Sequence, residues 1–168
     1  MNFLIRFSLA LFIVAAIAGC SGGRTQTIST SQTPSAKITA EQLRKLRWIE
    51  GSWRGTGVNQ APFFERYRFE SDTVLAVDGF ENEKLEKVAE TTRFELKDGE
   101  FGGGSEGSRY VAVVLDDTSI TFDPRVKANN SFIWKRESKD SWTAIIKWAA
   151  KGDKPAGERV YNMERWPK

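Results

Sequence analysis

Chemistry-bearing residues are few in this chain, and its absences constrain it as much as the residues present. It has no histidine. That removes the commonest general base, the Ser-His-Asp arrangement and the commonest ligand for metals and haem. Its single cysteine, Cys20, has no second thiol in the chain with which to pair. The carboxylates that stand out are Glu65 and Glu90. In Phe63-Phe64-Glu65-Arg66-Tyr67-Arg68-Phe69 and in Val88-Ala89-Glu90-Thr91-Thr92-Arg93-Phe94, alternation sets each glutamate on the more apolar face. A carboxyl turned into an apolar interior acquires a raised pKa and can orient a ligand or exchange a proton. The competing reading is a register displaced by one residue, or a bulge that returns the side chain to water. Tyr67, Trp134 and Trp148, with Phe69, Phe94, Phe132 and Trp142, share those apolar faces. Together they would line a cavity able to hold an acyl chain or a flat apolar molecule. They equally describe a filled core. No nucleophile–base pair and no metal-ligand set can be assembled, so the expectation is no catalytic residue, no metal and no cofactor.

The elements that must carry these side chains are strands. Alternating runs of about seven residues recur from Trp53 to Trp166, including Phe63–Glu70, Thr73–Val77, Val88–Leu96, Arg109–Leu115, Phe132–Arg136, Trp142–Trp148 and Glu158–Trp166. Turn residues separate most of them. Ser119–Phe122 reads as a short strand stopped by Asp123-Pro124, Phe101–Gly107 as a flexible glycine-rich connection, and Asn129-Asn130-Ser131 as a turn. No segment is long enough for a helical crossover, so the pattern predicts an all-β, antiparallel up-and-down barrel of 8–10 strands. Before it, Thr39-Ala40-Glu41-Gln42 forms a capping box with Ile38 and Leu43 as a hydrophobic staple, predicting one short N-terminal helix from Ala40 to about Trp48.

The N-terminus has a different character. Met1–Gly19 contains Arg6, an apolar run and small residues before Cys20, and reads as a secretory signal peptide, too short to span a bilayer. Ser21–Lys37 is almost entirely small and polar, which predicts a flexible tether. The expected organisation is therefore signal peptide 1–19, modified N-terminus and tether 20–37, and barrel domain 38–168. The formal charge is only +3, with signs alternating along the chain and no basic block. That argues against a nucleic-acid partner.

Two resemblances add to this reading. Gly51-Ser52-Trp53, at a helix-to-strand junction, resembles the Gly-x-Trp signature of the calycin superfamily of lipocalin-like barrels. The resemblance implies that the indole plugs the closed end and that a basic residue on the last strand lies across it. Arg165 is the choice, with Arg159 the alternative. The Trp-Arg-Gly-x-Gly ending of Leu46–Gly57 is also similar to the start of nitrobindin-like haem barrels and, distantly, fatty-acid-binding barrels. The haem-binding relatives use a histidine that this chain lacks, which leaves only a tyrosine such as Tyr67, Tyr110 or Tyr161 to ligate iron. Ile17-Ala18-Gly19-Cys20 resembles the bacterial lipobox, which implies cleavage before Cys20, lipid attachment there and anchoring in a membrane. Ser21 after the cysteine implies the outer membrane, with the barrel facing the periplasm. The expected function is a lipid-anchored barrel that binds or carries a small hydrophobic ligand. The alternative is a filled, structural lipoprotein of the cell envelope that works through its surface; an enzyme is not expected.

Overall fold

A computed structural model describes residues 37–104 and 107–167; the signal peptide, Cys20 and almost all of the tether lie outside the described residues. Ten strands make one closed antiparallel barrel. They are β1 (Gly51–Gly57), β2 (Phe63–Ser71), β3 (Val74–Phe80), β4 (Val88–Lys97), β5 (Glu100–Gly103), β6 (Arg109–Leu115), β7 (Ser119–Val126), β8 (Asn130–Arg136), β9 (Ser141–Trp148) and β10 (Gly157–Arg165). Each pairs with the next, and β10 returns to pair with β1, so the sheet has no free edge.

The helix before the barrel covers the span its pattern predicts, Ala40–Ile49, but changes type along the way. A single α-helical turn, α1 (Ala40–Leu43), passes directly into a 3-10 segment, Arg44–Ile49. The capping box is present: Gln42 N–H donates to the Thr39 hydroxyl at 3.2 Å, and Thr39 N–H donates to the Gln42 side chain at 2.9 Å. The change of helix type follows from the spacing of Leu43, Leu46 and Ile49. Three residues apart, they eclipse one another on a 3-10 helix but would drift around an α-helix. All three are fully buried, so packing sets the winding.

Three further expectations are corrected. Glu100–Gly103 is a strand rather than part of a flexible connection. Its glycines serve close approach: a Cβ on Gly102 would strike the backbone of β6, and one on Gly103 the backbone of β4 at Arg93. Strand β7 runs on through Pro124 instead of stopping before it. The β7–β8 ladder pairs only Ser119–Phe122, so the proline lies where its missing N–H costs no rung to β8. Asn130 and Ser131 open β8 rather than turning, with Asn130 paired to Trp148.

The 3-10 segment closes one end of the barrel. Beneath it Trp53, Trp142, Phe101, Phe122, Leu75 and Ile120 are all but inaccessible. Trp142 meets Trp53 edge-on at 6.0 Å and Tyr67 at 5.4 Å, and Tyr67 meets Trp134 at 5.5 Å. Such edge-to-face contacts each add about 0.5–1.5 kcal/mol beyond the burial of their area.

Candidate ligand cavity and its two carboxylates

The registers of five strands set one row of side chains across the barrel wall: Arg165 opposite Trp53, Trp53 opposite Glu65, Glu65 opposite Gly79, and Gly79 opposite Glu90. Opposite residues in a ladder share a face, so the whole row belongs to the interior side. One half of it is a clasp and the other half is a site.

In the clasp, the Arg165 guanidinium lies 3.9 Å from the centre of the Trp53 ring. It also donates to the carbonyl oxygens of Glu50 and Trp48 at the helix-to-strand turn. The Trp53 indole N–H donates to the carbonyl of Ile49 at 2.6 Å. Gly51, at φ +121°, permits the turn, and a Cβ there would collide with the Arg165 guanidinium. Arg159 is not part of this clasp. It stands exposed near the other end and donates to the Tyr161 hydroxyl at 3.3 Å.

The site is a cavity of about 130 Å3 towards the open end. Its wall is mostly aromatic and aliphatic, with Phe63, Phe94, Phe132, Trp134, Val77 and Ile146 among the lining side chains. Its polar groups are Glu65, Glu90, Thr92, Tyr110 and Tyr161. Two glycines of β1 make room for its rim. A Cβ on Gly55 would collide with the Phe63 ring, and one on Gly57 would stand 2.8 Å from the Tyr161 ring. Phe63 and Tyr161 then meet edge-on at 5.4 Å.

Glu65 is enclosed by this wall. It accepts a hydrogen bond from the Tyr67 hydroxyl at 2.7 Å through Oε2. Desolvation pushes its pKa up to about 7, and the negative charge of Glu90 adds to the rise, while the Tyr67 hydrogen bond opposes it. Burial and the neighbouring carboxylate likewise hold Tyr67 well above the usual tyrosine range. Glu90 is exposed at the mouth, and its side chain folds over Gly79, with Oε1 3.8 Å from where a Cβ would stand. The outer face shows the opposite arrangement one residue away. Desolvation would raise Asp78, but hydrogen bonds from Arg68 at 2.9 Å and Thr91 at 2.6 Å outweigh it and leave the pKa lowered. The interior carboxylate has no cation in that role: among the described residues no lysine or arginine lines the cavity.

The structure thus brings Glu65, Glu90 and Trp134 to one cavity. Tyr67 is not in its wall; it lies one layer deeper, holding Glu65 from below. Trp148 is corrected outright. It shares the inward parity of Trp142, Ala144 and Ile146, but it ends β9 at the rim, 36% exposed and folded over Gly157, whose Cβ would meet the ring at 2.7 Å. Parity along a strand fixes the face, not the depth. The three tyrosines offered for iron make separate bonds: Tyr67 to Glu65, Tyr110 to Asn130 at 3.0 Å, and Tyr161 to Gln60 at 3.2 Å. Gly79, Thr92 and Phe63 are cavity residues that pattern reading missed. For Gly79 the available signal was a glycine between two alternating glutamate-bearing strands.

No family model matches the chain, and no curated protein matches it. Among solved structures it is similar to EF1p2_mFAP2b bound to DFHBI, at 12% identity and a TM-score of 0.37, over 74% of this chain and 98% of that one. It is also similar to a redesigned β-barrel, at 9% identity and a TM-score of 0.35, over 73% of this chain and 95% of that one.

Proposed function

We propose that this chain is a calycin-like binding module of the cell envelope, anchored by lipid on Cys20 at the outer membrane, whose barrel holds a small, largely apolar molecule. The observation that carries the binding part is the cavity: an aromatic-walled space, open at one end, that retains a desolvated carboxyl group at its wall. A barrel with no ligand to orient gains nothing from Glu65, because an apolar side chain there would avoid the cost of burying a carboxyl. The size narrows the earlier expectation. An engineered cavity of about 150 Å3 takes up benzene, whereas sites for drug-sized molecules run from roughly 300 to 1,000 Å3. At about 130 Å3 the cavity suits a body of one ring or a short alkyl group rather than a long acyl chain.

The anchoring part rests on Ile17-Ala18-Gly19-Cys20, on the solitary cysteine and on the polar segment that follows it. Native mass spectrometry of the full chain, extracted from its membrane in detergent, tests both parts. The expected spectrum shows an acylated N-terminal cysteine, lost in Cys20→Ala, and a small co-purifying mass. A protein that stays free of any added mass after exposure to a cell extract would return the barrel to the structural reading.

A further inference from the structure

The cavity is chemically one-sided. Its charged wall residues are both glutamates, carried on strands either side of β3, and the residue of β3 between them is glycine. With no side chain on Gly79, the Glu90 side chain folds across it, Oε1 3.8 Å from where a Cβ would stand, so that a carboxyl stands on each side of β3 beside the aromatic chamber. Glu65 spends one oxygen on the Tyr67 hydroxyl, and its Oε1 has no hydrogen-bond partner among the described residues. Beyond the carboxyls stand Phe94, Phe132 and Trp134, whose ring faces are the negative poles of their quadrupoles. The arginines of β10 that share the inward parity are engaged elsewhere: Arg165 lies over Trp53 below, and Arg159 donates to Tyr161 at the mouth.

We propose that the cavity selects a small organic cation, a primary ammonium on a single aromatic ring or short alkyl body, with the ammonium seated over Gly79 between Glu65 and Glu90. The inference rests on the ligand-binding reading above and names the class of ligand. An ammonium has three donors, which matches the two carboxylates and the Thr92 hydroxyl on the same face of β4. The aromatic chamber favours a cation as well, by about 0.5–2 kcal/mol per ring in contact. An anion meets two like charges in the wall, and the guanidinium of Arg159 at the mouth is engaged with Tyr161. The raised pKa of Glu65 accords with this, since a bound cation would restore the charge that burial withholds.

Three probes of one shape separate the possibilities: benzylamine, benzyl alcohol and benzoate, titrated by calorimetry at pH 8 into the full chain in detergent. Benzylamine is expected to bind at least tenfold more tightly than benzyl alcohol, with no heat from benzoate. Glu90→Gln, a change at the exposed mouth, should narrow the amine–alcohol ratio at least threefold, and Glu65→Gln should do the same, with thermal melts confirming that both variants are folded. Equal or tighter binding of the alcohol or of benzoate overturns the cation assignment and leaves the binding module standing. An amine preference that survives both substitutions also overturns it. Heat from none of the three overturns this inference and the small-ligand reading together.

Discussion

The two ends of the barrel interior are built from the same kinds of residue and behave as opposites. At the closed end Trp53, Trp142, Tyr67, Leu46 and Ile49 are buried against one another, and the Arg165 guanidinium is stacked on Trp53. At the open end Phe94, Phe132 and Trp134 are as aromatic, yet they border a cavity and two carboxylates. What separates them is the row partner: Trp53 fills its position with an indole, whereas Gly79 leaves its position to the flexible Glu90 side chain. Stability is concentrated where large side chains meet the capping helix, and selectivity where one is withheld.

Substitutions at the two ends should therefore differ in kind as well as size. Trp53→Ala is the harshest. It removes a fully buried indole and its clasp to Arg165, and should cost about 3–5 kcal/mol. That is a large part of the roughly 5–15 kcal/mol typical of a folded domain. Urea unfolding would show it, and a loss under about 1 kcal/mol would mean that the closed end is not the keystone described here.

Glu65→Gln should act in the opposite direction. Glu65 titrates near 7 in the folded chain against an ordinary 4.5. Its protonated form thus favours folding. The associated stability is fully present below pH 4.5 and is lost as pH rises through 7, amounting to at most about 3 kcal/mol. Glutamine cannot ionise, so the variant should be the more stable protein at pH 8 and should flatten the stability profile between pH 4.5 and 7. Parallel profiles for the two proteins would contradict this.

Arg165→Met tests the clasp alone. It keeps an apolar stem over Trp53 but loses the cation–π contact and two carbonyl bonds, for an expected loss of about 1–3 kcal/mol in chemical denaturation. Ligand affinity should be unchanged. Gly79→Ala should have the smallest effect on stability, within about 1 kcal/mol. Its Cβ would meet Glu90 Cγ at an ordinary 3.4 Å. Yet it should weaken benzylamine at least fivefold, because the methyl group occupies the floor of the site. Unaltered affinity would show that the amine sits elsewhere.

Most of this architecture is legible in the sequence. Alternation of Phe63, Glu65, Tyr67 and Phe69 against charged neighbours fixed the face of β2, and Gly51-Ser52-Trp53 marked the junction at which the barrel begins. Illegible features depended on partners distant in sequence. Glycines at 102 and 103 read as slack because their need for close approach comes from Arg93 and Tyr110 on other strands. The three-residue spacing of Leu43, Leu46 and Ile49 favours 3-10 winding only because the barrel below buries all three. Within the site, inward parity identified Glu65, Glu90 and Trp134. It could not give depth, which sends Tyr67 beneath the cavity and Trp148 to the rim.

The clasp also governs how the molecule comes into being. The bond from Arg165 to the Glu50 carbonyl joins residues 115 apart in sequence, and the β1–β10 ladder spans a similar separation. Contacts so distant demand that most of the chain be gathered before they reward it. One edge of β1 pairs early with β2, its neighbour in sequence, but the other must wait until the final strand has emerged. Barrel closure becomes the late event of biosynthesis, and a chain halted before Arg165 would carry an unpaired β1 edge open to other chains.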